Sequence, residues 1–233
     1  MELAIDTSSN ISSLALSREG EILAELTWQT AQNHTVEVMC RLDYLLSIAG
    51  VTPDSLAAII VAKGPGSFNG LRVGISIAKG IAFSLNIPIL GISTLEAEAY
   101  PFAYTGLPLC PIHKAGRSEI AAALYQQKDN EWHRWKEEHL TTLENLCQEI
   151  RGETLFCGEI SSDMAEEIAQ NLGNRAIIPQ AFARLHRAGF LAVLGWQKLN
   201  RGEKDDLTTL QPLYLRPPHI TKPKKNLLPG LKP

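Results

Sequence analysis

The chain has little net charge, few cysteines and no long apolar run. Its 22 basic and 25 acidic residues leave a formal net charge of −3, which gives no electrostatic footing for tight, independent nucleic-acid binding. Four cysteines (Cys40, Cys110, Cys147 and Cys157) form no Cys-x-x-Cys pair. That disfavours a zinc site and a disulfide framework and suits a reducing compartment. No apolar stretch approaches the roughly 20 residues that a membrane helix needs. The opening MELAIDTSSN lacks the basic and apolar regions of a signal peptide, so a cytoplasmic protein is expected.

What is present is an ordinary globular composition: 233 residues, 45% hydrophobic and 20% charged, enough for one domain or a bilobal pair. Leu3–Asp6, a segment around Leu14 and Leu16, and one around Ile22 and Leu26 read as three short strands. A helix is expected over Thr35–Ala49, with Val38, Leu42, Leu45 and Ala49 on one face. The continuous apolar run Leu56–Ala62 reads as a strand buried on both faces. A helix to about Asn86 and a strand at IPILGIS come next. A helix opened by the capping-box pair Ser93 and Glu96 is expected to run to about Ala103. Strands alternating with helices imply a mainly parallel sheet.

The pattern then recurs. LCPIH, EIAAALYQ and EWHRWKEE read as strands, TLFCGE as another, and Leu143–Arg151, Met164–Leu172 and Ala181–Asn200 as helices. Two β-rich openings, each followed by β/α segments, predict two related lobes, partitioned 1–103 and 104–215. The proline- and lysine-rich tail 216–233 is expected to be disordered.

The stretch VAKGPGSFNGLRVG (Val61–Gly74) has the outline of a phosphate loop, yet it fails both established spacings. Gly64 and Gly70 are one residue too far apart for G-x-x-x-x-G-K-[ST], and Asn69 stands where G-x-G-x-x-G needs its third glycine. A generic anion site at the helix N-terminus stays open, with Asp6, Thr7, Gly64, Gly66 and Ser67 as its weak candidates. The alternative is packing. Gly66, Gly70, Gly74, Ala78 and Ala82 recur every four residues, leaving one helix face nearly bare for close approach by another element. Arg72, Ser76, Lys79 and Phe83 lie opposite, a mix that suits a protein interface as well as a solvated face.

Catalytic machinery is not visible. Asp6 with Thr7, Ser8 and Ser9 could hold a hydrated magnesium or simply cap its turn. His34 and Glu37 have no second histidine one turn on, where Val38 stands, and no H-E-x-x-H occurs. Gly74-Ile75-Ser76-Ile77-Ala78 is a poor nucleophile elbow inside a helix. Arg117 and Glu119 in AGRSE could grip a substrate or form a charged hairpin tip. The basic residues Lys222, Lys224 and Lys225 could touch RNA weakly.

LAIDTS, GPGSFNGLRVG followed by AKGIA, IPILGIS with TLEA, and the late PLYLRPP together resemble the TsaB (YeaZ) family. Members are dimerisation subunits of the bacterial machinery that makes threonylcarbamoyladenosine in transfer RNA. The resemblance implies an α/β protein of the actin-like/Hsp70-like ATPase (ribonuclease H-like) fold, in two lobes with the second reduced. It implies a degenerate paralogue of the transferase subunit TsaD, non-catalytic in itself. The expected role is a scaffold that binds TsaD, pairs with itself when alone, recruits the ATPase TsaE and meets tRNA only indirectly. No cofactor is required by the chain, with ATP or ADP at the partner interface left open.

TsaD proteins carry a metal-binding His-x-x-x-His. His34 matches its first histidine and Val38 replaces the second, so no metal is expected. Family pairing through the first two long helices nominates His34, Glu37, Arg41, Gly70, Arg72, Gly74, Lys79 and Phe83 as contacts. Asn69 stands for the family's usual threonine, and Lys114 and Ser118 depart from its hairpin motif. The rival reading is a nucleotide-binding or glycoprotease-like enzyme of the same superfamily.

Overall fold

The computed structural model describes residues 1–30, 34–116, 118–129, 131–184 and 187–216. The side chains of His34 and Phe182 fall outside the description, as do Arg117 and nearly all of the tail expected to be disordered.

Three antiparallel strands open the chain: β1 (Glu2–Asp6), β2 (Ile11–Arg18) and β3 (Glu21–Gln29). β4 (Ala58–Gly64) pairs parallel to β1, and β5 (Ile89–Ser93) parallel to β4. The sheet order is β3-β2-β1-β4-β5. Every residue of β1 and β5 is buried, because both faces are covered. Leu3, Ile5, Ile59 and Val61 point to one face, under α1 (His34–Ile48) and α2 (Phe68–Leu85). Their neighbours Ala4, Ile60 and Ala62 point to the other, under α6 (Ala188–Asn200). The two-residue alternation of the strands thus supplies two apolar layers.

The second half repeats the plan. β6 (Leu109–Lys114), β7 (Ile120–Lys128), β8 (Glu131–Thr141), β9 (Thr154–Gly158) and β10 (Ala176–Ile177) form a sheet ordered β10-β9-β6-β7-β8. α4 (Leu143–Glu149) and α5 (Ser162–Leu172) cover one face through Leu146 and Ile168, packed on Cys110, Ile112 and Phe156. Each half therefore runs βββαβαβα with the same strand order. This is the two-lobed actin-like architecture.

Between the sheets lies α3 (Thr94–Ala99). Leu95 and Ala99 join the second sheet's core and Ala97 the first's. Its N-cap is the expected Ser93, whose Oγ accepts from the Glu96 N–H at 3.5 Å. The α-helix stops at Ala99 instead of Ala103, and a 3-10 turn over Tyr100–Thr105 carries Pro101, which has no N–H to continue the α ladder.

Two further expectations change. The helix expected from Ala181 begins at Ala188, after a 3-10 turn at Ala181–Arg184. Its start is fixed from a distance: Ala188 N–H donates to Ser13 Oγ (3.0 Å) and Gly189 N–H to Glu25 Oε1 (2.9 Å), while Arg187 pairs with Glu25. No local motif announces a cap supplied by β2 and β3. As a result α6 packs on the first sheet, so the partition at 103/104 does not follow the packing: residues 188–200 belong with the first lobe's core.

Residues 205–216 then strap the lobes together. Asp205 bridges to Ile89, the Leu213 N–H donates to the Lys63 carbonyl at 2.6 Å, Leu215 packs in the second core, and Arg216 meets Glu119.

Candidate functional site

The glycine loop closes on the turn between β1 and β2. Ser67 N-caps α2, its Oγ accepting from Gly70 N–H at 3.3 Å, while its own N–H donates to the Ser8 carbonyl at 2.6 Å. Thr7 Oγ1 donates to the Gly70 carbonyl at 2.7 Å. A Cβ on Gly70 would overlap the Thr7 carbonyl oxygen, and one on Gly74 would overlap Thr7 Oγ1. Both glycines are buried. The close approach that the stripe suggested is made within the chain, to Thr7, and leaves both glycines on the inner side of α2.

Asp6 is buried at the end of β1. Its Oδ1 accepts from the Ser8 N–H (2.9 Å) and hydroxyl (2.6 Å), the turn-capping arrangement. Thr7 and Ser67 thus direct polar groups at the chain's own backbone. Among the described residues no group of three or more His, Cys, Asp or Glu side chains could hold a metal ion.

The lobes enclose a cleft of about 680 Å³, lined by Ile11 and Trp28 from the first lobe and by Lys114, Glu159, Met164 and Arg184 from the second, among others. Arg184 is occupied there. Its guanidinium donates to the carbonyls of Pro179, Gly158 and Ile160 at 2.9, 3.3 and 2.9 Å. Deeper in the second lobe, burial pushes the Cys110 and Cys157 thiols well up, the reverse of what a nucleophile needs.

The outer faces of α1 and α2 are another matter. Val38, Leu42, Leu45 and Leu46 hold α1 to the core, and one turn around the helix Val36, Met39, Tyr44 and Ile48 are exposed. On α2, Phe83 is 77% exposed. Sequence reasoning missed the α1 set, although its spacing (i, i+3, i+8, i+12) marks a second helical face once the core stripe is assigned.

The nominated neighbours are bound up locally. Trp28 Nε1 donates to Glu37 Oε2 at 3.1 Å, and Arg41 lies over the Trp28 ring and 3.7 Å from Glu37. Arg72 lies over Phe68, whose ring packs at a tilt against Tyr214, and Lys79 donates to the Thr208 carbonyl.

Residues 21–222 match the family model TsaD, tRNA N6-adenosine threonylcarbamoyltransferase. The tRNA threonylcarbamoyladenosine biosynthesis protein TsaB of Bacillus subtilis (strain 168) is 34% identical over 217 residues, 92% of this chain and 93% of that protein. The chain belongs to the TsaB family. TsaB of Escherichia coli (strain K12) is 27% identical over 92% of the chain and 94% of its own length. The solved structure of YeaZ from Pseudomonas aeruginosa superposes with a TM-score of 0.76 at 25% identity, covering 92% of this chain and 99% of that one.

The transferase of Nitratidesulfovibrio vulgaris (strain DP4) aligns over only 41% of this chain and 31% of its own length. Membership of the TsaB family places the chain in tRNA threonylcarbamoyladenosine biosynthesis. The metal pair implied by likeness to TsaD does not fit these residues: Val38, at the second histidine's place, is fully buried in the first lobe's core. No helix among the described residues is long and apolar enough to cross a membrane.

Proposed function

We propose that this chain is the non-catalytic scaffold of a threonylcarbamoyl-transfer complex. In this reading it docks the TsaD-type transferase on the outer face of α1 and α2, pairs with itself through the same face when alone, and helps recruit the TsaE-type ATPase. One observation carries the proposal: six large apolar side chains (Val36, Met39, Tyr44, Ile48, Phe68 and Phe83) stand exposed on two adjacent helices. Exposed apolar side chains grouped on neighbouring helices suit an interaction site, and aromatic anchors such as Tyr44 and Phe83 dominate such contacts.

The interior of the first lobe supports a scaffold over a catalyst. The hydroxyl of Thr7 and the backbone of Ser67, the groups best placed to greet a phosphate, are committed to Gly70 and Ser8. In this reading ATP or ADP belongs to the joint interface of the assembled complex, and tRNA reaches this chain as part of that complex. The test is co-purification of Tyr44→Arg/Phe83→Arg with the transferase. Loss of the complex from a variant that keeps its circular-dichroism spectrum and melting temperature is expected. Retention of the complex would remove the proposal.

A further inference from the structure

Where the end of α6 meets both sheets, a polar cleft of about 360 Å³ gathers four cations: Lys63 from β4, Arg134 from β8, and Lys198 and Arg201 at the C-terminal end of α6. One carboxylate, Glu96, lines it, and a second, Glu138, lies behind two of its lining residues; both are engaged. Glu96 accepts from Lys198 Nζ at 2.8 Å and from Trp132 Nε1 at 3.2 Å. Glu138 accepts from the Tyr125 hydroxyl at 2.8 Å and from Arg134 at 3.2 Å. Lys63 and Arg201 have no ion-pair partner among the described residues.

Lys63 and Arg201 thus stand without a salt bridge beside the half-buried Trp132, whose inner face is taken by the buried Tyr125 ring, with centroids 5.4 Å apart. A neighbouring cleft of about 400 Å³ shares Lys63 and continues past Gln211 to Tyr214; its one carboxylate, Asp205, accepts from the Gly91 N–H at 2.7 Å. Together they make a track whose centre is a lysine and whose margins are aromatic.

Such a combination suits a nucleic-acid strand, whose phosphates take the cations and whose bases find π-faces. We propose that this track holds backbone phosphates of the transfer RNA while the assembled complex acts on it. The proposal rests on the scaffold reading above, because the chain's net charge of −3 leaves a few cations too weak to capture RNA unaided. An acidic protein segment would use the same cations, and the experiment separates the two.

The wild-type chain and Lys63→Glu/Arg201→Glu are each assembled with the transferase, and tRNA affinity is measured from about 50 to about 200 mM salt, a range over which phosphate contacts weaken steeply. The expected result is an unchanged yield of complex, roughly tenfold weaker tRNA binding at the lower salt, and a slope of log K against log salt shallower by about 1.5 for two lost contacts. Lys63→Gln/Arg201→Gln, which removes the charges without reversing them, is expected to fall in between and guards against misfolding.

Equal affinity and slope in all three proteins would overturn the proposal. So would loss of the transferase from the charge-reversed complex, which would identify the track as a protein contact. If even the wild-type chain fails to pair with the transferase, the scaffold reading has failed instead. The track rests on that reading and falls with it.

Discussion

In the first lobe, α1 and α2 run 15 and 18 residues and leave Val36, Met39, Tyr44, Ile48 and Phe83 in solvent. In the second, the topologically equivalent α4 and α5 run 7 and 11 residues and show solvent Glu144, Gln148, Asp163, Glu166 and Gln170. The two sheets have the same strand order, and both helix pairs cover a sheet face. Covering a sheet therefore does not require apolar residues on the far side of a helix. The second lobe's helices act as an internal control, and the proposed docking face accounts for the apolar outer sides of α1 and α2.

The comparison can be broken most sharply at the inner side of α2. Gly70→Val or Gly74→Leu forces side-chain atoms into Thr7 and should cost about 3 kcal/mol or more, as overpacking at backbone contacts does. Urea denaturation checks this; a variant as stable as wild type would mean that the β1–β2 turn can retreat. The outer side should respond in the opposite way. Tyr44→Arg or Phe83→Arg should leave unfolding within about 0.5 kcal/mol of wild type yet weaken the transferase by about 2 kcal/mol or more per anchor, near thirtyfold.

A smaller but cleaner contrast uses the cysteines. Cys40 is exposed on α1, whereas Cys110, Cys147 and Cys157 are buried with thiols pushed up chiefly by desolvation. One fast-reacting thiol per native chain is expected with Ellman's reagent, and it should be protected in the complex. Rapid reaction of two or more, or of Cys40 at an equal rate in the complex, would count against this picture.

The smallest effect belongs to the second lobe. Burial alone would raise Glu138, but hydrogen bonds from Ser93 and Tyr125 and the charge of Arg134 hold its carboxyl below the ordinary range. Its contribution is therefore present above the unfolded carboxyl pKa, about 4.3, and is lost as pH falls through the lower folded value. Glu138→Gln should be about 1 kcal/mol less stable than wild type near neutrality, a gap that closes in acid.

Much of this was legible in the sequence, for physical reasons that vary by residue. Buried runs such as IIVA and the duplicated strand–helix rhythm follow from periodicity, which depends on local burial alone. β10, two residues long, offers no periodicity to detect. The start of α6 escaped because its cap, Glu25, lies 164 residues from Gly189. The glycine stripe was readable as close packing, but sequence spacing cannot say which element fills the gap; Thr7 fills it. The outer stripe of α1 was hidden because its apolar residues resemble core positions until the core is known. Glu37 and Arg41 were nominated because the family pairs through this helix, whereas Trp28, on the preceding strand, engages both.

The most direct test of docking on the first lobe is calorimetric titration of the transferase into three proteins: wild type, Tyr44→Arg/Phe83→Arg, and Ala169→Arg on the exposed face of α5. The account predicts that the α5 variant binds as wild type does, while the double variant loses at least a hundredfold in affinity. Equal binding by all three, or a loss confined to Ala169→Arg, would contradict it.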